Sequence, residues 1–270
     1  MKFAVPFPIL KPEESVEKVF ADYIPFKDYI DYFYFRIPYI EGRDNSAFGK
    51  LYADKCRRFI SMSRSSFKSV LDLRINASRP SINRYFRSNY LPVILDRYGF
   101  EGIFVRDVGN LAYFTEHLPK IDNYFLVNDV DKKTLALLRN KVSFTEIVIA
   151  GLDALKKCKD ISNTGFNIGY IVNEACCEKC SFWPLMYSGR VDISGFCKDC
   201  FYHNSAQCEF YCISPDKLNA YSSIINTAIL SGALRDYFWV KNVFLSYVYG
   251  KSIGFRNVLN GPLVNCFYER

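Results

Sequence analysis

Histidine is nearly missing from this sequence, with His117 and His203 the only two in 270 residues. That excludes a three-histidine zinc centre and leaves little room for acid–base catalysis by imidazole. No stretch approaches the roughly 18 apolar residues of a membrane span. The longest candidates, Tyr29 to Tyr39 and Asp236 to Tyr249, carry charges inside them. No Gly-x-Gly-x-x-Gly follows the first apolar run, and no Gly-x-x-x-x-Gly-Lys-Ser/Thr or Gly-x-Ser-x-Gly occurs. Those absences weigh against a dinucleotide fold, a P-loop and a serine-hydrolase elbow. The apolar start, Phe3 to Leu10, is broken by Pro6 and Pro8 and has no small-residue cleavage site after it, unlike a secretory signal. A soluble, cytoplasmic protein in a reducing compartment is the expectation.

Hydrophobic residues make up 50% of the chain, aromatic residues 17% and charged residues 23%. That is ample for a packed core and excludes intrinsic disorder. The net charge of +7 is spread along the chain, so it permits an anionic partner without demanding one. The 24 Phe and 20 Tyr residues fall mostly at alternating or helical positions, where they belong in a core. Cysteine is the residue in excess. Seven of the ten lie between Cys176 and Cys212, while Cys56, Cys158 and Cys266 stand alone as core or surface thiols.

Short β-branched and aromatic runs alternate with stretches of helical period. Strands are expected at Phe3–Pro6, Tyr32–Ile37, Val70–Asn76, Ile103–Asp107, Tyr124–Asn128, Glu146–Ala150 and Phe166–Val172. Helices are expected from about Pro12 to Tyr23, from Phe48 to Ser61, and up to Tyr98 after a cap at Ser78 or Ser81. Strand–helix alternation of this kind gives a parallel sheet. Six or seven such units favour a TIM-type (β/α) barrel, complete or incomplete, over an open doubly wound sheet. One barrel is expected over 1–270, with a cysteine-rich metal-binding segment over 173–212 and a helical region over 215–270.

Barrels of this class place their chemistry at the C-terminal ends of the strands. Here those ends turn polar: Arg74 and Asn76, Arg106 and Asp107, Asn128 and Asp129, then Asn173 and Glu174. Any one of these can simply cap the next helix. As a set they would line one mouth, with Asn76, Arg106 and Asn128 placed to bind substrate. Asp107, Asn173 and Glu174 are the catalytic candidates, and Glu174 is the most plausible acid–base group.

The segment after Glu174 contains Cys176, Cys177, Cys180, Cys197, Cys200, Cys208 and Cys212. Cys177-x2-Cys180 and Cys197-x2-Cys200, separated by 181–196, have the spacing of a four-thiolate zinc site. Iron–sulfur clusters use the same ligands with looser spacing. Seven thiols exceed what one such site needs, and His203 lies among them. His117 precedes a turn and is not expected to do chemistry.

The run Asn173-Glu174-Ala175-Cys176-Cys177-Glu178-Lys179-Cys180 resembles the Asn-Glu-x-Cys-x3-Cys segment of the U32 peptidase family. The opening Lys2–Pro6, then Glu41-Gly42-Arg43, the strand end Ile75-Asn76 and Tyr98–Ile103 are similar to that family's landmarks. So is Ile213-Ser214-Pro215-Asp216-Lys217-Leu218-Asn219-Ala220-Tyr221 downstream. The resemblance implies a TIM-type barrel with a cysteine-ligated iron–sulfur cluster and carries over to Cys176 and Cys180; with Cys197 and Cys200 these are the expected ligands of a 4Fe-4S cluster, Cys212 being the next candidate. It also implies oxygen-independent hydroxylation of RNA or a small aromatic precursor, in some relatives by a two-protein complex; other relatives are named as peptidases. The other reading is a zinc-stabilised, non-catalytic barrel that binds a protein or RNA partner.

Overall fold

The computed structural model describes residues 1–37, 47–72, 89–105, 108–127, 132–149, 154–174, 211–231 and 236–250. Within them, β1 (Lys2–Pro6) leads to α1 (Val16–Tyr23) and a 3-10 turn, then β2 (Ile30–Phe35) to α2 (Ala47–Ser63). Next come β3 (Lys68–Asp72), α3 (Leu91–Tyr98), β4 (Gly102–Val105), α4 (Val108–His117) and β5 (Asp122–Val127). The series continues with α5 (Lys132–Arg139), β6 (Glu146–Ile149), α6 (Ala154–Ser162) and β7 (Ile168–Glu174). It ends with β8 (Tyr211–Cys212), α7 (Pro215–Asn219), β9 (Thr227–Leu230) and α8 (Tyr237–Val248).

Local sequence sets several of these boundaries. Ser15 accepts a hydrogen bond from Lys18 N at 3.1 Å, so α1 starts at Val16, later than Pro12. Asp236 does the same for α8 through Trp239 N at 2.9 Å. The first turn before α1 is pinned from α2, where Lys55 Nζ donates to the carbonyls of Lys11, Pro12 and Glu14. The expected caps Ser78 and Ser81 lie outside the described residues.

Each of β1 to β6 pairs in parallel with the next strand, β6 pairs with β7, β7 with β9, and β9 with β1. The result is a closed barrel of eight parallel strands, a TIM-type α/β fold. Thr227 pairs with both Lys2 and Gly169, which closes the ring. The eighth strand, β9, lies within 215–270, where a helical region is expected, between two helices. β9 is four residues long and buried on both faces, so Thr-Ala-Ile-Leu shows no alternation that would mark it as a strand. The helices α7 and α8 flank it.

Two cores result. Phe3, Val5, Phe33, Phe35, Leu71 and Ile103 face the helices, among many others. Ala4, Tyr32, Tyr34, Val70, Phe104, Tyr124, Leu126, Val148 and Ile229 fill the lumen. Aromatic rings plug that lumen: Tyr32 and Tyr124 have centroids 4.6 Å apart, and Tyr34 and Phe104 5.5 Å. The barrel is therefore packed rather than hollow.

Candidate functional site

Because the eight strands run in one direction, their C-terminal ends form one mouth. β3 stops at Asp72, β4 at Val105, β5 at Val127 and β7 at Glu174. The expected substrate contacts Asn76, Arg106 and Asn128 and the expected catalytic Asp107 follow these ends in sequence and lie outside the described residues. So do Cys176, Cys177, Cys180, Cys197, Cys200 and Cys208, while Glu174 and Cys212 are described through their backbone alone. Among the described residues, no group of three or more His, Cys, Asp or Glu could hold a metal.

What the structure does place is the root of the cysteine segment. Antiparallel β8 returns the chain to β7, with Cys212 paired to Asn173 and Tyr211 to Glu174. Ile213 N then donates to the Val172 carbonyl at 2.9 Å. Glu174 and Tyr211, the residues on either side of 175–210, thus stand side by side at one point of the mouth. Asn173 secures that point: its Nδ2 donates to Ser231 O at 3.1 Å, and its Oδ1 accepts from Ser231 N at 2.8 Å. The side chain is 2% exposed and ties β7 to the end of β9. Its described contacts are those of a positioning residue.

Two mouth residues escaped sequence reasoning. Tyr32 and Tyr34 face the lumen, so Arg36 follows in the same phase, and Asp72 follows Val70 likewise. Phe35 pairs with Leu71, so Arg36 and Asp72 come next on neighbouring strands. Both are buried, at 7% and 5% exposure, and charged groups this deep need polar company. The all-aromatic run before Arg36 hid the phase that would have singled it out.

Just below them, Tyr34 Oη donates to the Leu230 carbonyl at 2.5 Å and joins β2 to β9 across the lumen. Tyr34→Phe should therefore cost about 1–2 kcal/mol in urea unfolding with no change of secondary structure. A loss of only a few tenths would mean that the carbonyl finds another donor.

At the opposite end of the barrel, Glu146 Oε2 lies 2.5 Å from Thr227 Oγ1, and Oε1 lies 3.3 Å from Tyr32 Oη. Thr227 Oγ1 also lies 3.4 Å from Asp31 Oδ2. Burial pushes the Glu146 carboxyl up to about 8, the Asp31 charge adds to the rise, and the hydroxyls of Thr227 and Tyr32 hold it back. Lys68 and Asp122, paired at 2.5 Å, complete this polar end, with Thr145 donating to Asp122 at 3.0 Å. A protonated Glu146 can donate to Thr227, which in turn can donate to Asp31, so each of these three side chains has a partner.

No family model matches the chain. No curated protein matches it either. Among solved structures of similar fold, a U32 peptidase is 12% identical, with 76% of this chain and 86% of that one covered at a TM-score of 0.49. A tryptophan synthase complex from Pyrococcus furiosus is also 12% identical, with 95% of this chain and 97% of that one covered at a TM-score of 0.49. KGPDC from Streptococcus mutans is 8% identical over 95% of this chain and 98% of that one, at a TM-score of 0.46. These likenesses are of the barrel.

Cys56 and Cys158 take no part in the mouth, and Cys266 lies outside the described residues. Cys56 is fully buried on α2, and burial raises its thiol far above the ordinary range. Cys158 is buried on α6 and pushed up to about 12. Neither forms a thiolate at neutral pH, as expected of core cysteines. His117 ends α4, stacked on Tyr113 at 4.1 Å with Nδ1 3.0 Å from the Tyr113 carbonyl. No helix among the described residues is long and apolar enough to cross a membrane.

Proposed function

We propose that this chain is a barrel enzyme whose cysteine-rich excursion carries a 4Fe-4S cluster beside the C-terminal mouth. The observation that supports this most is the pairing of β7 with β8, which sets Glu174 beside Tyr211 at the end where a (β/α) barrel carries its chemistry. Cys176 and Cys180 follow directly on the strand end, Cys197 and Cys200 complete a four-thiolate set, and Cys212 is the next donor, opposite Asn173. When bound, such a cluster supplies one-electron chemistry or an iron open to an oxygen-bearing donor.

The chain's own residues then have distinct tasks. Glu174 holds or moves a proton at the edge of the mouth, with Asp107 as its counterpart. Asn76, Arg106 and Asn128 bind substrate above a floor that includes Arg36 and Asp72. Asn173 keeps the strand end in place through Ser231. From the resemblance to the U32 peptidase family, the reaction is an oxygen-independent hydroxylation of RNA, a peptide or a small aromatic precursor, carried out alone or with a protein partner.

The spacing of Cys177-x2-Cys180 and Cys197-x2-Cys200 favours a second reading, a zinc-stabilised barrel that binds a partner without catalysis. Purification without oxygen separates the two. The cluster predicts a brown protein with about four irons and as many acid-labile sulfides per chain, both lost in Cys176→Ala and Cys180→Ala. A colourless, folded protein with one zinc under the same handling would establish the zinc site instead.

A further inference from the structure

We infer that the groove between α2 and α3 binds a chain of phosphates, either the polyphosphate of a nucleotide or a stretch of phosphodiester backbone. The groove has a volume of about 780 Å³, and Arg57, Arg58, Arg64 and Arg97 line it with Asp54 and Asp96. Four guanidiniums against two carboxylates leave it positive. Arg57 shares its charge with Asp54 at 3.3 Å, and Arg58 reaches out of the groove to Glu17. Among the described residues, Arg64 and Arg97 have neither an ion pair nor a hydrogen-bond acceptor.

Cations near helix C-termini often serve the helix itself, by meeting its last carbonyls. Here the backbone already does so. Gly99 N donates to the carbonyls of Leu95 and Asp96, and Phe100 N to Leu95, at 2.9–3.1 Å. Ser66 N and Phe67 N both donate to the Ser63 carbonyl at 2.8 Å. The arginines are left for an outside acceptor.

Arg64, exposed just past α2, reaches over the turn that ends α3. Its guanidinium lies on Gly99, whose φ of +76° is left-handed, and a Cβ there would come within 2.6 Å of Nη2. Glycine suits the left-handed turn, and its missing Cβ leaves room for the guanidinium. Guanidinium forks match phosphate oxygens in pairs, and the ligand must displace Asp54 from Arg57 and tolerate Asp96. A single small anion is poorly suited to that, whereas several linked phosphates are well suited. Tyr98, half-buried and stacked on Phe100 at 5.8 Å, adds an aromatic wall.

The groove lies where α2 and α3 lead into the starts of β3 and β4, at the end of the barrel away from the mouth. It is therefore independent of the metal reading, and its test needs no turnover. The full-length chain would be titrated with inorganic tripolyphosphate and, separately, with labelled oligouridylate, each at low and high salt. At least one probe should bind, more weakly as salt rises. Arg64→Gln combined with Arg97→Gln should weaken that binding about a hundredfold, roughly tenfold for each guanidinium. Lys120→Gln with Lys159→Gln removes equal charge elsewhere and should leave binding unchanged. Arginine-dependent binding of tripolyphosphate identifies a compact polyphosphate as the ligand, and of oligouridylate alone a phosphodiester chain. No binding of either probe, or an equal loss in the lysine variant, overturns the site.

Discussion

Glu146→Gln should make the protein more stable at pH 8 and slightly less stable near pH 4.5, so that its stability curve crosses that of the parent. The carboxyl titrates at about 8 in the folded barrel against 4.5 for a free glutamate, mainly because it is buried. A raised folded value means that the native state holds a proton that the unfolded chain releases. The stabilisation from that proton is complete below about pH 4.5, declines as the unfolded chain ionises, and is gone above about pH 8. At 1.36 kcal/mol per pH unit, the swing is on the order of 4 kcal/mol. Glutamine is neutral throughout, so the variant lacks this slope. At low pH it loses about 1 kcal/mol by placing an amide where a carboxylic acid fitted Thr227 and Tyr32.

Asp31, Lys68 and the Tyr32 and Thr227 hydroxyls surround position 146 in both proteins, so the variant changes the carboxyl and leaves its surroundings in place. Urea midpoints for parent and variant, taken from pH 4.5 to pH 8, are the measurement. Parallel curves would show that Glu146 is ionised in the native state despite its burial.

The placement of this group bears on where function can lie. Glu146 is the residue with the most displaced carboxyl value among those described, and displaced values often mark active sites. Its position argues otherwise. It begins β6, at the end of a barrel that serves stability, and the aromatic plug of Tyr32, Tyr34, Phe104 and Tyr124 separates it from the mouth. It is hydrogen-bonded to Tyr32 of β2 and Thr227 of β9. It is better understood as a neutral tie between β2, β6 and β9.

How much of this was legible depended on burial. Seven of the eight barrel strands show in the sequence because Val, Ile, Phe and Tyr cluster between turn residues, and β1 to β7 fall where those clusters stand. β9 stayed hidden because four residues buried on both faces carry neither alternation nor length. The same double burial concealed which face of β2 and β3 meets the lumen, so attention went past the strand ends to Asn76 and missed Arg36 and Asp72. Asn173 was legible as a polar strand end, but its partner is the backbone of Ser231, fifty-eight residues away in the chain, which no local pattern announces. The cysteine segment announced itself by spacing, whereas the pairing of Cys212 with Asn173 across thirty-nine positions has no local signature.

Gly169→Ala should be the most damaging single methyl group in the barrel. Gly169 faces the lumen from β7, between Thr227 of β9 and Val148 of β6. A Cβ at this position would overlap Glu146 Oε1 and lie 2.9 Å from Ile229 Cδ1. Neither neighbour can yield cheaply. Glu146 is held by Tyr32 and Thr227, and Ile229 is packed in the lumen at 3% exposure. Overpacking alone costs about 1–3 kcal/mol, and a buried carboxyl pushed off its partners costs about as much again. A loss of about 3 kcal/mol or more in urea unfolding is expected. Glu146→Ala removes the first obstruction and leaves the second, so the double variant should lose less than the two single losses combined. Strict additivity would mean that the methyl group is accommodated by movement of β7 rather than by Glu146. In that case the shift should travel along the strand to Asn173 and loosen the root of the cysteine segment, visible as faster amide exchange at Ile213 and Ser231.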